Sequence, residues 1–265
     1  MTSLQTPRKR SAAPRIRQVP AVSRAIAILR LLGASDAPLG VNAIARALGL
    51  VPSTCLHILR ALAAEELVVA DPATRRYALN AGVLTLARSF LRRSGFGELA
   101  QPALDRLSAR FGVTAIGVQV AGLEHMIVVA ISRSEQPLRL HVELGSRFPA
   151  LISATGRCLA AFGGRPWSEL EARFRKLRWH RPPSFRTWRA EVEAARANGY
   201  SVDEGNYIGG VTILAAPVLD GQGVMTHGVV AVGLREQFER GGGAALAAEL
   251  RSAAAAVSER LADRA

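Results

Sequence analysis

The chain has 265 residues, and its 49% hydrophobic content is enough to build the packed core of one large domain or two ordinary ones. It contains no apolar run of about 20 residues and no apolar segment of the signal-peptide type, which excludes a membrane-spanning helix and a secretory signal. The formal net charge is +13, and the first 95 residues hold 14 basic against 4 acidic residues. Such a concentration of positive charge is typical of proteins that bind a polyanion.

The two cysteines indicate a reducing compartment. Cys55 and Cys158 lie far apart, and neither belongs to a Cys-x-x-Cys pair. Isolated thiols of this kind are usual in cytosolic proteins. We therefore expect a cytoplasmic protein with no membrane partner.

Residues 1–20 are predicted to form a basic, disordered tail. They contain no acidic residue and are rich in Pro, Ser and Ala, and their basic residues are Arg8, Lys9, Arg10, Arg15 and Arg17. Such a segment lacks the apolar residues needed for a core, and its charges can add salt-sensitive affinity for phosphates. Its composition also resembles a transit sequence, which is the alternative interpretation.

The next segment predicts a helix-turn-helix. Apolar residues recur at helical spacing over residues 23–32, 41–48 and 52–62, which predicts three short helices. Gly49 follows the second helix as a helix-ending glycine. Pro52 suits the first position of the third helix, where its missing N–H costs nothing. Two helices joined by a tight turn present the second of them to the DNA major groove.

The third helix has two different faces. One face carries apolar residues that can pack on the preceding helix: Cys55, Ile58, Leu59 and Leu62. The opposite face carries the candidate DNA contacts: Ser53, Thr54, His57 and Arg60. Each of these side chains can hydrogen-bond a phosphate or a base edge. The alternative is an ordinary helical hairpin with a solvated polar face.

A hairpin is predicted after the three helices. Two β-like runs, residues 67–70 and 75–79, flank a turn that contains a proline. Three helices followed by a hairpin form a winged helix-turn-helix, so residues 21–80 are predicted to be the DNA-binding domain. Arg75 and Arg76 lie on the hairpin and complete the candidate DNA contacts. The alternative for these two is a solvated strand edge.

Residues 81–96 are predicted to be a linker helix. Its apolar stripe includes Leu86 and Phe90, and the helix is expected to end near Gly95. The stripe can pair with a second copy of the chain.

Residues 97–265 alternate between helical and strand patterns. The predicted helices cover residues 100–111, 153–162, 167–177, 185–198 and 244–262, and the predicted strands cover residues 114–121, 126–131, 138–144, 200–203, 211–217 and 228–234. Strands of this kind with helices on the faces of their sheet form an α+β domain.

No motif in this half points to catalysis. It has no nucleophile elbow, P-loop, zinc-protease motif or dinucleotide fingerprint, and its histidines do not stand at ligand spacing from one another or from a cysteine. We therefore expect no enzyme activity, no metal and no cofactor.

The order of these segments resembles the IclR family of bacterial transcription regulators. The resemblance rests on four stretches: residues 23–62, the predicted wing with its linker helix, residues 145–162, and residues 199–234. Together they span the chain from about residue 19 to its end. The order of the stretches is more specific than any one of them.

The resemblance implies an α+β fold of two domains, with a winged helix-turn-helix joined through a linker helix to a GAF-like effector-binding domain over residues 97–265. It also implies assembly as a homodimer or a homotetramer. It implies binding to an inverted-repeat operator in double-stranded DNA, controlled by a small molecule such as an organic or aromatic acid. The effector-binding positions carried over are Met126, Ala154, Thr155, Gly156, Asp203, Val211, Ile213, Ala231 and Gly233.

Some positions depart from the family pattern or have a structural alternative. Family members often carry Lys at the position of Pro52 and Arg at that of His57, so this recognition helix has fewer fixed positive charges. Ala231 and Gly233 lack the serine hydroxyls that some members place there, which predicts a more apolar pocket. Asp203 is alternatively a turn cap, and Gly156 a site of close packing.

Two other functional classes remain open at the level of the sequence. One is an architectural protein that binds DNA without sequence preference, which explains the basic half but not a complete second domain. The other is a metabolite-binding protein or enzyme that uses its helix-turn-helix for assembly, which does not require the basic tail.

Overall fold

A computed structural model describes residues 19–133 and 142–264, and the side chains of residues 91–94, 240 and 241 are not described within these ranges. Residues 1–18, with the basic side chains of the predicted tail, lie outside the described residues, as does most of the predicted strand 138–144. The chain divides into two compact units, residues 1–93 and 94–265.

The first unit contains helices and a small sheet. Its elements are α1 (Pro20–Gly33), β1 (Leu39–Gly40), α2 (Val41–Leu48), α3 (Pro52–Ala64), β2 (Val68–Ala70), β3 (Arg76–Leu79) and α4 (Gly82–Ser94). The strands pair antiparallel in the order β1-β3-β2. Ile28, Ile44 and Leu59 are completely buried and join the first three helices in one core. This unit therefore has the predicted winged helix-turn-helix form.

The turn between α2 and α3 depends on a glycine. Gly49 ends α2 with a φ of +63°, a left-handed conformation that glycine adopts without steric cost. The amide of Leu50 donates to the carbonyl of Ala45, which closes the turn. The two helices consequently meet at 111°, within the range of a helix-turn-helix.

The second unit is built on a six-stranded antiparallel sheet. Its elements are α5 (Phe96–Phe111), β4 (Thr114–Ala121), β5 (His125–Ile131), β6 (Arg147–Pro149), α6 (Ser153–Phe162), α7 (Trp167–Phe174), α8 (Phe185–Asn198), β7 (Ser201–Glu204), β8 (Val211–Leu219), β9 (Met225–Leu234), α9 (Arg235–Gly241) and α10 (Gly243–Ala262). The strand order is β6-β5-β4-β9-β8-β7. Helices α6, α7 and α8 cover one face, and α5 and α10 cover the other.

Two predicted elements differ from those observed, and two observed elements were not predicted. Residues 142–144 are not a strand, and the edge strand is instead β6, which pairs with β5. Helix α5 begins four residues earlier than predicted, because Phe96 is completely buried and adds a turn before Pro102. The two-residue strand β1 and the short helix α9 are too short to give a periodic signal.

Within the described part of the chain, no single helix is long and apolar enough to cross a membrane. The bent pair α2 and α3 passes that test together, by length and composition alone.

His227 is an ionisable group enclosed in the second unit. Its ring stacks on Phe96 with centroids 4.3 Å apart, and its Nδ1 lies 3.0 Å from the hydroxyl of Thr226. Its Nε2 is buried without a hydrogen-bond partner among the described residues. Burial lowers the pKa of His227 to about 4, because the imidazolium form would lose its hydration.

We expect this histidine to make the second unit acid-sensitive. The unfolded chain takes up a proton near the ordinary histidine pKa of about 6.5, whereas the folded chain does so only near the lowered value, so stability falls as pH decreases between the two. His227→Phe should reduce the free energy of unfolding that is lost over this pH range by about 3 kcal/mol. Denaturant titrations followed by tryptophan fluorescence report on this unit, because all three tryptophans lie in it. The exposed His180 of the same unit, changed to Phe, is the control. An unchanged pH dependence in His227→Phe would contradict the assignment.

Candidate DNA-binding surface and effector cavity

Helix α3 presents a polar face outward. Ser53, His57 and Arg60 are exposed and Thr54 is half-buried, whereas the apolar face buries Cys55, Leu59 and Leu62. Positions 53, 57 and 60 follow the i, i+4, i+7 spacing of one helical stripe. The structure therefore brings the four candidate DNA contacts of α3 onto its solvent side.

The beginning of α3 is also open. Pro52 occupies its first turn, and Val51 before it supplies no side-chain cap. The first amides of a helix have no partner within the helix, so those of Ser53 and Thr54 are free to donate to a phosphate.

The hairpin after α3 is held by one aspartate. A carboxylate oxygen of Asp71 accepts from the amide of Ala73 at 2.9 Å, and the other accepts from the hydroxyl of Thr74 at 2.7 Å. The Thr74 hydroxyl, followed by the amides of Ala73 and Thr74, holds the pKa of Asp71 below its ordinary value. The turn is therefore fixed at neutral pH.

The two hairpin arginines differ in their surroundings. Arg75 is exposed and has a φ of +53°, which is uncommon for a residue with a side chain. Arg76 is exposed as well, and its guanidinium donates to the carbonyl of Pro38 at 3.4 Å. Arg75 is thus placed at the tip of the wing, while Arg76 also contacts the protein.

An enclosed cavity of about 210 Å³ lies between the sheet and α6 in the second unit. The sheet contributes Ile116, Val118, Met126, Phe148, Pro149, Ile213, Val230 and Val232, and the other walls contribute Val142, Ser146, Ile152, Ser153, Thr155, Tyr207 and Ile208. Among the described residues, none that lines this cavity carries a charged side chain. An enclosed, mostly apolar cavity with a few polar groups is typical of a small-molecule site.

The structure brings part of the predicted effector set to this cavity. Met126, Thr155 and Ile213 line it. Val211 lies on the same side of β8 and packs in the core next to the cavity.

Neither of the positions predicted on the last strand lines this cavity. Ala231 packs with α5 and α10 on the opposite face of the sheet, whereas Val230 and Val232 line the cavity. Because successive strand residues point to opposite faces, Gly233 also faces away from the cavity. The cavity wall is therefore even more apolar than the sequence predicted.

Ala154 and Gly156 have packing roles. Ala154 is completely buried, and its carbonyl accepts from the hydroxyl of Ser201 at 2.5 Å. A Cβ on Gly156 would lie 2.0 Å from the carbonyl carbon of Leu151, so only glycine lets α6 approach that backbone. Neither residue lines the cavity, and for Gly156 the close-packing alternative is the correct one.

Asp203 is held by the protein. Its side chain is fully buried, and it pairs with Arg157 at 3.0 Å. Its other oxygen accepts from the amides of Asn206 at 3.0 Å and Tyr207 at 3.2 Å. Asp203 is therefore a turn cap and does not line the cavity, contrary to the effector role predicted for it.

The polar end of the cavity is formed by the start of α6. Ser153 has a φ of +57° and is buried, as is Thr155. Ile152 provides no side-chain cap, so the first amides of α6 are available to an acceptor. A helix start of this kind favours an anion.

A larger groove of about 720 Å³ lies beside the cavity and shares Pro149, Ile152 and Tyr207 with it. It is open to solvent, and its acidic residues Glu124 and Glu169 both pair with Arg173. We therefore take the enclosed cavity as the candidate effector site.

Sequence reasoning missed Arg157 and Tyr207. Tyr207 lies in a turn without periodic pattern, and its contact with the cavity follows only from the fold. An arginine among the small residues of residues 153–162 was the one available signal for a buried charge.

Comparison with known proteins identifies both units. The IclR helix-turn-helix domain matches residues 21–72, and the C-terminal domain of the bacterial transcriptional regulator IclR matches residues 89–259. The glycerol operon regulatory protein of Streptomyces griseus is 32% identical over 248 residues, which cover 92% of this chain and 97% of that protein. The transcriptional regulator BhcR of Paracoccus denitrificans is 29% identical and covers 79% of this chain and 75% of its own length.

A solved structure agrees with these relatives. The crystal structure of an IclR transcriptional regulator from Alicyclobacillus acidocaldarius matches with a TM-score of 0.77 and 27% identity. The match covers 92% of this chain and 99% of that one.

The packing role of Gly156 can be tested by adding one methyl group. Gly156→Ala should destabilise the second unit by about 2 kcal/mol or more, because the clash with Leu151 outweighs the higher helix propensity of alanine. Denaturant unfolding measures the change. Gly221→Ala is the control, since a Cβ there meets nothing within 4 Å, and it should stay within about 0.5 kcal/mol of wild type. Equal stability of the two variants would contradict the packing role.

Proposed function

Because the chain belongs to the IclR family of DNA-binding transcriptional regulators, we propose that α3 reads an inverted-repeat operator and that a small organic acid in the 210 Å³ cavity modulates this binding. The observation that carries the proposal is a cavity with apolar walls and no charged side chain among its described residues, closed at one end by the start of α6.

The DNA-binding part rests on the exposed face of α3. Ser53 and His57 can hydrogen-bond base edges, and Arg60 can meet a phosphate or a guanine. Arg75 at the tip of the wing adds a charge for the neighbouring backbone. The basic residues of the tail supply further sequence-independent attraction to phosphates.

The effector part rests on the division of the cavity into two ends. The amides at the start of α6 and the hydroxyl of Thr155 suit a carboxylate. Met126, Val230 and Val232 suit an apolar body, such as an aromatic ring or a branched chain. A monocarboxylate with an apolar body matches both ends, and we use benzoate as its representative.

A glycerol-derived effector is the second candidate. Two relatives, from Streptomyces griseus and Streptomyces coelicolor, are glycerol operon regulatory proteins, 32% and 31% identical to this chain. Glycerol 3-phosphate is polar along its whole length, whereas the sheet side of this cavity is apolar. The names of these relatives give the operon that they regulate, and the walls of this cavity favour the apolar acid.

We also propose that two copies associate through the first unit and act in the bacterial cytoplasm, where the operator DNA is. Val22 on α1 is 59% exposed, and Leu84, Leu86 and Phe90 on α4 are 70%, 64% and 43% exposed. So many exposed large apolar residues favour an interface. A dimer also matches the symmetry of an inverted repeat.

The DNA contacts can be tested by removing two hydroxyls. Ser53→Ala combined with Thr54→Ala should weaken operator binding by about tenfold or more, because two hydrogen bonds are lost. Footprinting and gel shifts with an inverted repeat selected from genomic fragments measure the effect. Ser168→Ala removes an exposed hydroxyl near the start of α7 and should leave affinity unchanged. Unchanged operator affinity in the double variant would refute the contacts.

The ligand class can be tested by thermal shift and calorimetry. Benzoate should raise the melting temperature by mass action, and glycerol 3-phosphate should not. Thr155→Val should weaken benzoate binding by about tenfold, since it removes one hydrogen bond to a charged group at nearly constant shape. The control is Thr212→Val, at a threonine that is equally buried but does not line the cavity. Stabilisation by glycerol 3-phosphate instead of benzoate would overturn the proposed class.

The interface can be tested with a charge. Leu86→Glu combined with Phe90→Glu should shift the protein toward the monomer in light scattering, because two charges would be buried without partners. Val224→Glu, at an exposed apolar residue of the second unit, is the control. A variant that keeps the wild-type mass would place the interface elsewhere.

A further inference from the structure

Arg157 is a fully enclosed cation, with a side chain only 1% exposed. Its Nε donates to Glu191 on α8 at 2.7 Å, and one terminal nitrogen donates to Asp203 on β7 at 3.0 Å. Its other terminal nitrogen lies 3.5 Å from the side-chain oxygen of Asn206, in the turn after β7. One guanidinium thus connects α6 to three other parts of the unit.

The turn after β7 is fixed by the same network. Asp203, held by Arg157, accepts the amides of Asn206 and Tyr207. Asn206 is fixed further, because its side chain donates to the carbonyl of Arg181 at 3.1 Å. Tyr207 follows directly and lines the cavity, together with Ile208. The position of this cavity wall therefore depends on Arg157 through Asp203.

The opposite wall belongs to the helix that carries Arg157. Ser153 and Thr155 line the cavity from the first turn of α6, and Arg157 follows in the next turn. Arg157 itself does not line the cavity. It therefore joins the helix wall to the turn wall from behind both of them.

A buried ion pair is a costly way to hold a fold together. Desolvation of two charges cancels much of their attraction, and apolar residues of similar size often give equal or greater stability. A planar guanidinium can instead direct several donors at once in fixed directions, which a lysine ammonium cannot do. The arrangement accordingly favours a role in geometry over one in stability.

We propose that Arg157 is a positioning residue for the effector cavity, which sets ligand affinity by fixing the Tyr207 turn against the start of α6. This proposal rests on the proposed function, because it takes the cavity as the effector site. Arg157→Lys keeps a charge for Asp203 but loses the simultaneous bonds to Glu191 and Asn206. The turn should then become mobile and the cavity walls less well matched to a ligand.

The test compares Arg157→Lys with Arg196→Lys in the full chain. Arg196 on α8 also anchors α6, by donating twice to the carbonyl of Ala161 at 3.0 and 2.7 Å, but at the end away from the cavity. Calorimetry with benzoate gives the affinity, and hydrogen exchange gives the protection of residues 203–208. Arg157→Lys should lower benzoate affinity by about tenfold and speed exchange in that segment by a similar factor. Arg196→Lys should change neither, whatever it does to the melting temperature.

The possible results separate the two proposals. Equal losses in both variants would show general destabilisation and overturn the positioning role, as would unchanged exchange in Arg157→Lys. If benzoate does not bind the wild type, the proposed ligand class fails, and the exchange measurement still decides the positioning role. If Arg157→Lys does not fold, Asn206→Ala replaces it, since it removes the side-chain bonds of Asn206 to Arg157 and to the carbonyl of Arg181 and keeps the pair of Arg157 with Asp203. Faster exchange confined to residues 203–208 in that variant supports the proposal, and unchanged exchange overturns it.

Discussion

The alternation of side chains along β8 and β9 is the constraint on which the second unit depends. Both strands are covered on both faces, so one set of residues packs with α5 and α10 while the other faces α6, α7 and α8. The cavity lies only on the second side. A shift of one residue in either strand would exchange the cavity wall with the opposite core. The site is therefore defined by the register of the sheet as much as by the residues that line it.

This constraint also explains which parts of the molecule could be predicted. A helix exposed on one side shows its orientation in the sequence, so the outward face of α3 was predicted residue by residue. Strands covered on both sides are apolar at nearly every position and carry no such signal. The phase of β9 could not be read from the sequence, and Ala231 and Gly233 were placed where Val230 and Val232 lie.

Contacts that the sequence pattern does not show were the other limit. Asp203 could be recognised as a turn cap or as a ligand contact, and its pair with Arg157, 46 residues earlier, is the contact that the sequence could not show. Gly156 posed the same choice, which the approach of the Leu151 backbone settles. In both cases the sequence contained the correct residue and the correct alternatives. What it lacked was the neighbour that makes one alternative physically necessary.

The two units differ in where they place their charged side chains. The DNA-binding unit keeps its polar and basic side chains exposed, where a charged partner can reach them and where salt weakens each contact. The second unit buries the pair of Arg157 with Asp203 and keeps charged side chains out of the described wall of its cavity. Among the described lining residues, an anion bound there would meet helix amides and hydroxyls, so discrimination would come from the shape of the apolar end. The residues that hold that shape, Arg157 and Asp203, thus matter to recognition without touching what is recognised.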